Sequence, residues 1–346
     1  KREGPCILNP VIGEYDDPAR QRQCILTLPI SKEGNAVIYG VAGSGKTTFI
    51  TAMTYSLIRD YTPEEVNIYL LDFASETLRA FAKAPHVGDV VLSHESEKVN
   101  NLFKLLYDEI GRRRKLFADY GGDYNSYISS TGNKIPSIVV VINNFAAFTE
   151  IYEEKEEVVA FLSREGTKYG IFFVLTAVGT GAVRFRLLEN FKQLIALQLN
   201  DETDYSTILG KTDGLFPSKY KGRGLVKLDK IYEFQVAHIT DEPVPFSFIQ
   251  KACEKIKASW NGISAKRIPI LPEKVDLDFI SEYIQDEKSL SIPIGVDRST
   301  LEVRYYPFGS SYINMVLSSS DEYVEFVYGV SQIMANKCGF DVTMID

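Results

Sequence analysis

The sequence is short of the residues that build metal centres. Four cysteines (Cys6, Cys24, Cys253 and Cys338) are scattered over 346 residues with no CxxC spacing, and the histidines are His86, His94 and His238 alone. That pattern argues against a zinc site and reads as reduced thiols in a cytosolic compartment. Positive charge is short as well: 38 Lys and Arg stand against 46 Asp and Glu, a net charge of −8. A protein that grips nucleic acid by neutralising phosphates is expected to be basic, so nucleic acid is not the expected partner. Long apolar runs are missing too. The longest, residues 138–142 and 171–178, fall far short of the ~20 residues of a membrane-spanning helix. No signal peptide opens the chain, which begins at Lys1 and stops at Asp346 after a strand-like run. It reads as a piece of a longer protein.

What is present suits a soluble globular protein: 45% hydrophobic and 24% charged residues, with length for roughly two domains of ~100–200 residues. After an irregular opening, residues 35–39 read as a short buried strand, followed by a glycine-rich loop. The helix after it carries Ile50, Met53 and Leu57 at helical spacing. Residues 66–71 form a second strand closing on Asp72. Residues 97–117 form an amphipathic helix with Val99, Leu102, Leu106 and Ile110 on one stripe. Beyond it Arg112, Arg113, Arg114 and Lys115 read as a solvated helix end or a subunit contact. The β-branched run 138–142 marks a strand buried on both faces of a parallel sheet. A charged helix (153–162), strands 171–176 and 195–199, and a hairpin (225–228 against 232–238) complete the pattern. Strands alternating with helices give an α/β, three-layer sandwich with a mainly parallel sheet.

The expected division is a P-loop domain over 1–262, a linker over 263–290, and the start of a second, degenerate copy over 291–346. Ile292-Pro293-Ile294 echoes Leu28-Pro29-Ile30, residues 312–317 take the place of 35–39, 323–334 that of the first helix, and 340–346 mirror 67–72. Where its loop belongs, residues 317–323 carry Asp321 and Glu322 and no lysine. This second loop is expected to bind no nucleotide.

The chemistry concentrates in Gly40-Val41-Ala42-Gly43-Ser44-Gly45-Lys46-Thr47, a full match to GxxxxGK[ST] between a strand and a helix. Glycines let successive N–H groups point at phosphate oxygens, and the helix N-terminus adds its positive dipole end. Lys46 is placed to reach the β- and γ-phosphates and the Thr47 hydroxyl to ligate magnesium. The expected ligand is ATP with Mg²⁺, held by Gly40, Ala42, Gly43, Ser44, Gly45, Lys46, Thr47 and Thr48. The partner strand should end on an aspartate for the metal, often followed by a glutamate that polarises water. Residues 138–142 end instead on Asn143-Asn144. An amide cannot accept a proton at neutral pH and brings no charge. Either this Walker B pair is degenerate, or Asp72 is the acid.

These motifs resemble the FtsK/SpoIIIE superfamily of P-loop motors, which have a RecA/FtsK-like fold. Leu71-Asp72-Phe73 with Glu76-Thr77-Leu78 is similar to that family's second-strand motif, Pro85-His86-Val87 to its Pro-His-Leu, and Glu109-Ile110-Gly111-Arg112-Arg113 to its Glu-Met-x-x-Arg helix. Asn143-Asn144-Phe145-Ala146 stands where the family has Asp-Glu-Phe-Ala. Thr176-Ala177-Val178 stands where translocases carry Thr-Gln-Arg, so Ala177 replaces a polar sensor. Within the superfamily, Pro10-Val11-Ile12-Gly13, the run from Asp16 to Gln23, Leu209-Gly210-Lys211-Thr212-Asp213 and Gly222-Arg223-Gly224 resemble the later ATPase domains of EssC/EccC-type type VII secretion motors. Those are membrane-anchored chains with three such domains in tandem.

The resemblance implies the second ATPase domain with the start of the third: an ATP-binding, hydrolysis-poor module that uses nucleotide to set domain contacts during export of small helical-hairpin proteins. Implied partners are other ATPase domains of the same chain, neighbouring subunits and small secreted substrates. The membrane is reached through other parts of the parent, of which this is a cytoplasmic domain. Whether this piece hydrolyses ATP is left open. The alternative is an active DNA translocase. Arg184 and Arg186 are candidates for a finger that points at a neighbour's nucleotide, or simply surface residues.

Overall fold

The computed structural model describes residues 6–242, 244–272, 275–284, 291–297, 302–310, 315 and 322–343. The chain divides into two compact units, Lys1–Ile268 and Pro269–Asp346. Among the described residues no helix is long and apolar enough to cross a membrane.

The first unit is built on one ten-stranded sheet. Its strands are β1 (Val11–Asp17), β2 (Arg22–Thr27), β3 (Ala36–Tyr39), β4 (Val66–Asp72) and β5 (Val87–Leu92), then β6 (Ser137–Asn143), β7 (Ile171–Ala177), β8 (Gln193–Ala196), β9 (Arg223–Lys227) and β10 (Ile231–Val236). They lie in the order β2-β1-β10-β9-β8-β3-β7-β6-β4-β5. From β8 to β5 every pairing is parallel; from β8 to β2 every pairing is antiparallel. The strand that feeds the glycine loop, β3, is separated from β6 by β7, so the ends of all three converge at one edge.

The central strands are apolar along their middles because both faces are covered. Val37, Tyr69, Leu71, Val140, Ile142, Phe173 and Leu175 pack on one side. Their neighbours Ile38, Ile68, Leu70, Val139, Val141, Phe172 and Val174 pack on the other. The helix Ser96–Phe117 supplies Val99, Leu102, Leu106 and Ile110 to the first layer. The helix Lys46–Asp60 supplies Phe49, Ile50, Met53 and Leu57 to the second. The expected three-layer sandwich is therefore present.

Three expectations need correction. The opening is not irregular: β1 and β2 pair with each other, and β1 pairs with β10. The charge run at the end of the long helix is not uniformly solvated. Arg113 is 1% exposed. Its guanidinium meets the Glu109 carboxylate at 2.6 Å and donates to the carbonyls of Tyr169 and Pro136 at 2.7 and 2.8 Å. Spacing of four residues puts Glu109 and Arg113 on one helix face, so the pair ties this helix to the start of two strands.

The third correction concerns the second unit. Ile292-Pro293-Ile294 does not match Leu28-Pro29-Ile30 in structure, since Pro29 precedes a helical turn and Pro293 lies inside a strand. That strand, β11 (Ser291–Val296), pairs antiparallel with β12 (Val303–Pro307), with a register shift just before Gly295. The β1–β2 hairpin shifts just before Gly13 in the same way. The helix expected at 323–334 is found as Glu322–Asn336. Positions 340–343 carry no strand. The strand expected at 312–317 and the loop at 317–323 lie outside the described residues, apart from Met315 and the start of that helix.

Replacing Arg113 by Met leaves the Tyr169 and Pro136 carbonyls without their donor, while Glu109 keeps its pair with Arg112. Urea unfolding should show a loss of about 3 kcal/mol, the scale for leaving two polar groups in the interior without a donor at about 1–3 kcal/mol each. The exposed neighbour variant Lys115→Met should stay within about 0.5 kcal/mol.

Candidate functional site

The glycine loop hangs between two strand ends. The Gly40 N–H donates to the Ala177 carbonyl at the end of β7, and the Val41 N–H to the Gln198 carbonyl beyond β8. A Cβ on Gly40 would overlap Ser44 Oγ, so the loop closes tightly only on glycine. Gly45 caps the helix Lys46–Asp60 at φ 106°, a conformation that L side chains avoid. There the loop lies against the turn before β9: the Gly222 N–H donates to the Ser44 carbonyl at 2.8 Å. A Cβ on Gly45 would fall 2.7 Å from Gly222 N. Ala42 and Gly43 are exposed at the loop tip. The Lys46 ammonium donates to the carbonyls of Gly40 and Val41, and partial burial lowers its pKa from the ordinary lysine value. Thr47 and Thr48 open the helix beside it.

The amide of Asn143, 1% exposed, stands next to this loop. Its Nδ2 lies 3.4 Å from Thr47 Oγ1 and donates to Asp72 Oδ1 at 3.0 Å. Its Oδ1 accepts the Thr176 hydroxyl proton at 2.8 Å. Asn144 takes a left-handed backbone, φ 70° and ψ 73°, which asparagine tolerates better than most residues. Its N–H donates to Thr176 Oγ1, and its amide is spent on the Phe73 carbonyl and on capping the helix Phe145–Ile151. The structure therefore brings Asn143, not Asp72, to the loop. The Asp72 oxygens are occupied by the N–H groups of Ala74 and Leu78 as well as by Asn143. They form the second rank of the site.

A cleft of about 500 Å³ runs from the loop across Asn143 and Asn144. One wall carries Ala74, Ser75 and Thr77. A second wall is formed by residues 237–240 and by Val244, Pro245, Phe246 and Ile249 at the start of the helix Pro245–Ser259. Nothing in the sequence pattern pointed to this second wall, which depends on the hairpin β9–β10 folding back. Thr176 is legible in the sequence only as part of the Thr176-Ala177-Val178 run, although a lone polar residue ending an apolar strand is a visible signal of its bonds to Asn143 and Asn144. Ala177 is 1% exposed and offers the site only its carbonyl. Arg184 is exposed and ion-paired with Glu156 at 3.2 Å; Arg186 is exposed.

The loop and helix N-terminus fit a triphosphate: N–H groups, a dipole end and one ammonium converge on a cradle that admits only glycines at its bends. The donor set fits a divalent cation poorly. Thr47 contributes one hydroxyl, Asn143 turns N–H rather than oxygen toward it, and Asp72 is already satisfied. Among the described residues no cluster of three His, Cys, Asp or Glu side chains could hold a metal ion.

Comparison with known proteins is consistent with this geometry. Residues 19–212, more than half of the chain, match the model of the FtsK/SpoIIIE family. The ESX secretion system protein YukB of Bacillus subtilis (strain 168) is 30% identical over 312 residues, covering 88% of this chain and 21% of that protein. The chain thus spans about a fifth of the length of its curated relatives. Among solved structures, EssC (ATPases 2 and 3) from Geobacillus thermodenitrificans superposes with a TM-score of 0.86 at 24% identity, over 95% of this chain and 66% of that one. Thermomonospora curvata EccC (ATPases 2 and 3), in complex with a signal sequence peptide, gives a TM-score of 0.72 at 25% identity, over 88% and 56%.

The contact between Gly45 and Gly222 yields a direct test. Gly45→Ala meets both a positive φ and the Gly222 backbone, so thermal or urea unfolding should register at least about 2 kcal/mol of lost stability. The open position Gly43, where a Cβ meets nothing within 4 Å, should lose only about 1–2 kcal/mol as Ala, the cost of the positive φ alone.

Proposed function

We infer function from kinship and geometry together: the chain belongs to the FtsK/SpoIIIE family, and its P-loop is intact. In our reading it is an ATP-binding, hydrolysis-poor module of a type VII protein-export motor, most similar to the second ATPase domain of such chains with the start of the third. Nucleotide acts here as a ligand that sets contacts with other ATPase domains and neighbouring subunits. The cargo class is a small secreted helical-hairpin protein, and the site of work is the cytoplasmic face of a membrane reached through other parts of the parent. The relatives' names and the signal peptide bound to the Thermomonospora protein support this reading. The net charge of −8 speaks against DNA as the translocated polymer.

One observation carries the hydrolysis-poor assignment: the Asn143-Asn144 pair at the end of β6, with both amides committed to structural hydrogen bonds. ATP is held by the N–H groups of residues 42–48 and by Lys46, and the apolar wall at Ile239 and Phe246 suits the base. If magnesium accompanies the triphosphate, Thr47 is its one side-chain ligand here, and the ion supplies charge neutralisation. Among the described residues lining the cleft, no carboxylate is placed as a base to activate water. Losing a positioned base typically removes about 10²–10⁴ in rate.

The purified chain should show a raised melting temperature with saturating ATP, by mass action. Lys46→Ala should abolish that shift, because the ammonium next to the terminal phosphate is lost. Steady-state phosphate release should stay far below about 1 per second, the low end of ordinary enzymes. A rate near that value, or no melting shift, would defeat the reading. Restoring both acids (Asn143→Asp with Asn144→Glu) should accelerate residual turnover.

A further inference from the structure

We infer that Asp72 locks the Asn143 amide with its N–H₂ toward Thr47, so that this site takes a nucleoside triphosphate without needing a divalent cation. The inference rests on the nucleotide reading above and removes magnesium from its requirements.

The orientation of the amide is set from two sides. The Asp72 carboxylate, 1% exposed, receives N–H donors from Ala74, Leu78 and Asn143 at 3.2, 3.1 and 3.0 Å. A carboxylate only accepts, so it selects the nitrogen end of Asn143. On the other side Thr176 Oγ1 already accepts the Asn144 N–H at 2.8 Å. Its single proton therefore goes to Asn143 Oδ1, also at 2.8 Å. Turning the amide over would set its carbonyl oxygen against the Asp72 oxygen in a buried site, which is costly without a donor between them. The second N–H of Asn143 is thus left facing Thr47 Oγ1 at 3.4 Å.

A magnesium ion prefers oxygen ligands in a near-octahedral shell, usually with one or two carboxylates nearby. Here the positive end of an amide dipole faces the hydroxyl that would ligate the ion and engages one of its lone pairs. The Thr47 proton is left to point outward, as a donor to a phosphate oxygen. Neutralisation of the triphosphate then falls to Lys46, the loop N–H groups and the helix N-terminus. Asp72 is in this scheme a positioning residue that acts through Asn143 and never touches the ligand.

The test is calorimetric titration of ATP into the full chain, in magnesium and in EDTA. The dissociation constants should differ by less than about threefold. Asn143→Asp sets a second carboxylate beside Asp72, a like-charge pair that a cation relieves. That variant should bind ATP at least about tenfold tighter in magnesium than in EDTA. Asp72→Asn can offer an N–H to Asn143 and free its orientation, so it should gain magnesium dependence of about threefold or more. A merely structural role for Asp72 would weaken both arms equally and overturn the lock. Parent affinity falling about tenfold or more in EDTA would overturn the inference while leaving nucleotide binding intact. No binding in either buffer would overturn the nucleotide reading itself.

Discussion

At the end of β6 the polar side chains lie almost wholly out of solvent, Asp72 and Asn143 at 1% and Thr176 at 0% exposure, so they must satisfy one another. This is achieved by four side chains from four separate elements: Thr47, Asp72, Asn143 and Thr176. An unsatisfied buried polar group costs about 1–3 kcal/mol, so the cluster is held together as a unit. Asn143 reaches the P-loop helix and β4, Thr176 holds Asn144 in its left-handed turn, and Asp72 shapes the segment that forms one wall of the cleft. The position of the glycine loop relative to β6 follows from this arrangement.

The same cluster sets the charge at the strand end. A unit charge at about 4 Å contributes about 4 kcal/mol at an effective dielectric of about 20. No neutral hydrogen bond, worth about 0.5–1.5 kcal/mol net, can replace that. The amide at 143 therefore withdraws the largest electrostatic contribution the strand end could make. The remaining acid, Asp72, does not compensate, because three N–H groups converge on it. The N–H groups of the loop and Lys46 are untouched by the change, and among the described residues at this strand end no free carboxylate faces Thr47.

The parts legible in the sequence were those where one physical demand fixes residue type. Runs such as 138–142 and 171–175 are apolar at every position because both faces are buried, and the glycine loop needs its spacing whatever the surroundings. The degenerate pair Asn143-Asn144 could be read because the strand before it was unmistakable. Edge elements were less legible. In β1 and β2, polar residues such as Glu14, Asp16 and Gln23 interrupt the apolar pattern, since antiparallel strands can face water on one side. Arg113 was hidden within a run of four cations, and only the third dimension shows carbonyls of Tyr169 and Pro136 around it. The role of Thr176 follows from the Asn144 N–H it accepts, a partner 32 residues away that no local pattern reveals.

The antiparallel side of the sheet, the hardest part to read, is also what joins the two ends of the cleft. Gly222 donates to the Ser44 carbonyl in the glycine loop, and its own carbonyl accepts the Val236 N–H at the end of β10. One residue on, the Ala237 N–H donates to the Ile12 carbonyl in β1, and Gly13 lies opposite Val236 with no room for a Cβ beneath Gln235. Residues 237–240 leave this junction to form the apolar wall with Phe246. The phosphate end and the apolar end are therefore held by one hairpin, and β1 braces that hairpin from outside. A displacement of β10 cannot occur without moving Gly222, and Gly222 cannot move without disturbing Gly45, which touches it backbone to backbone.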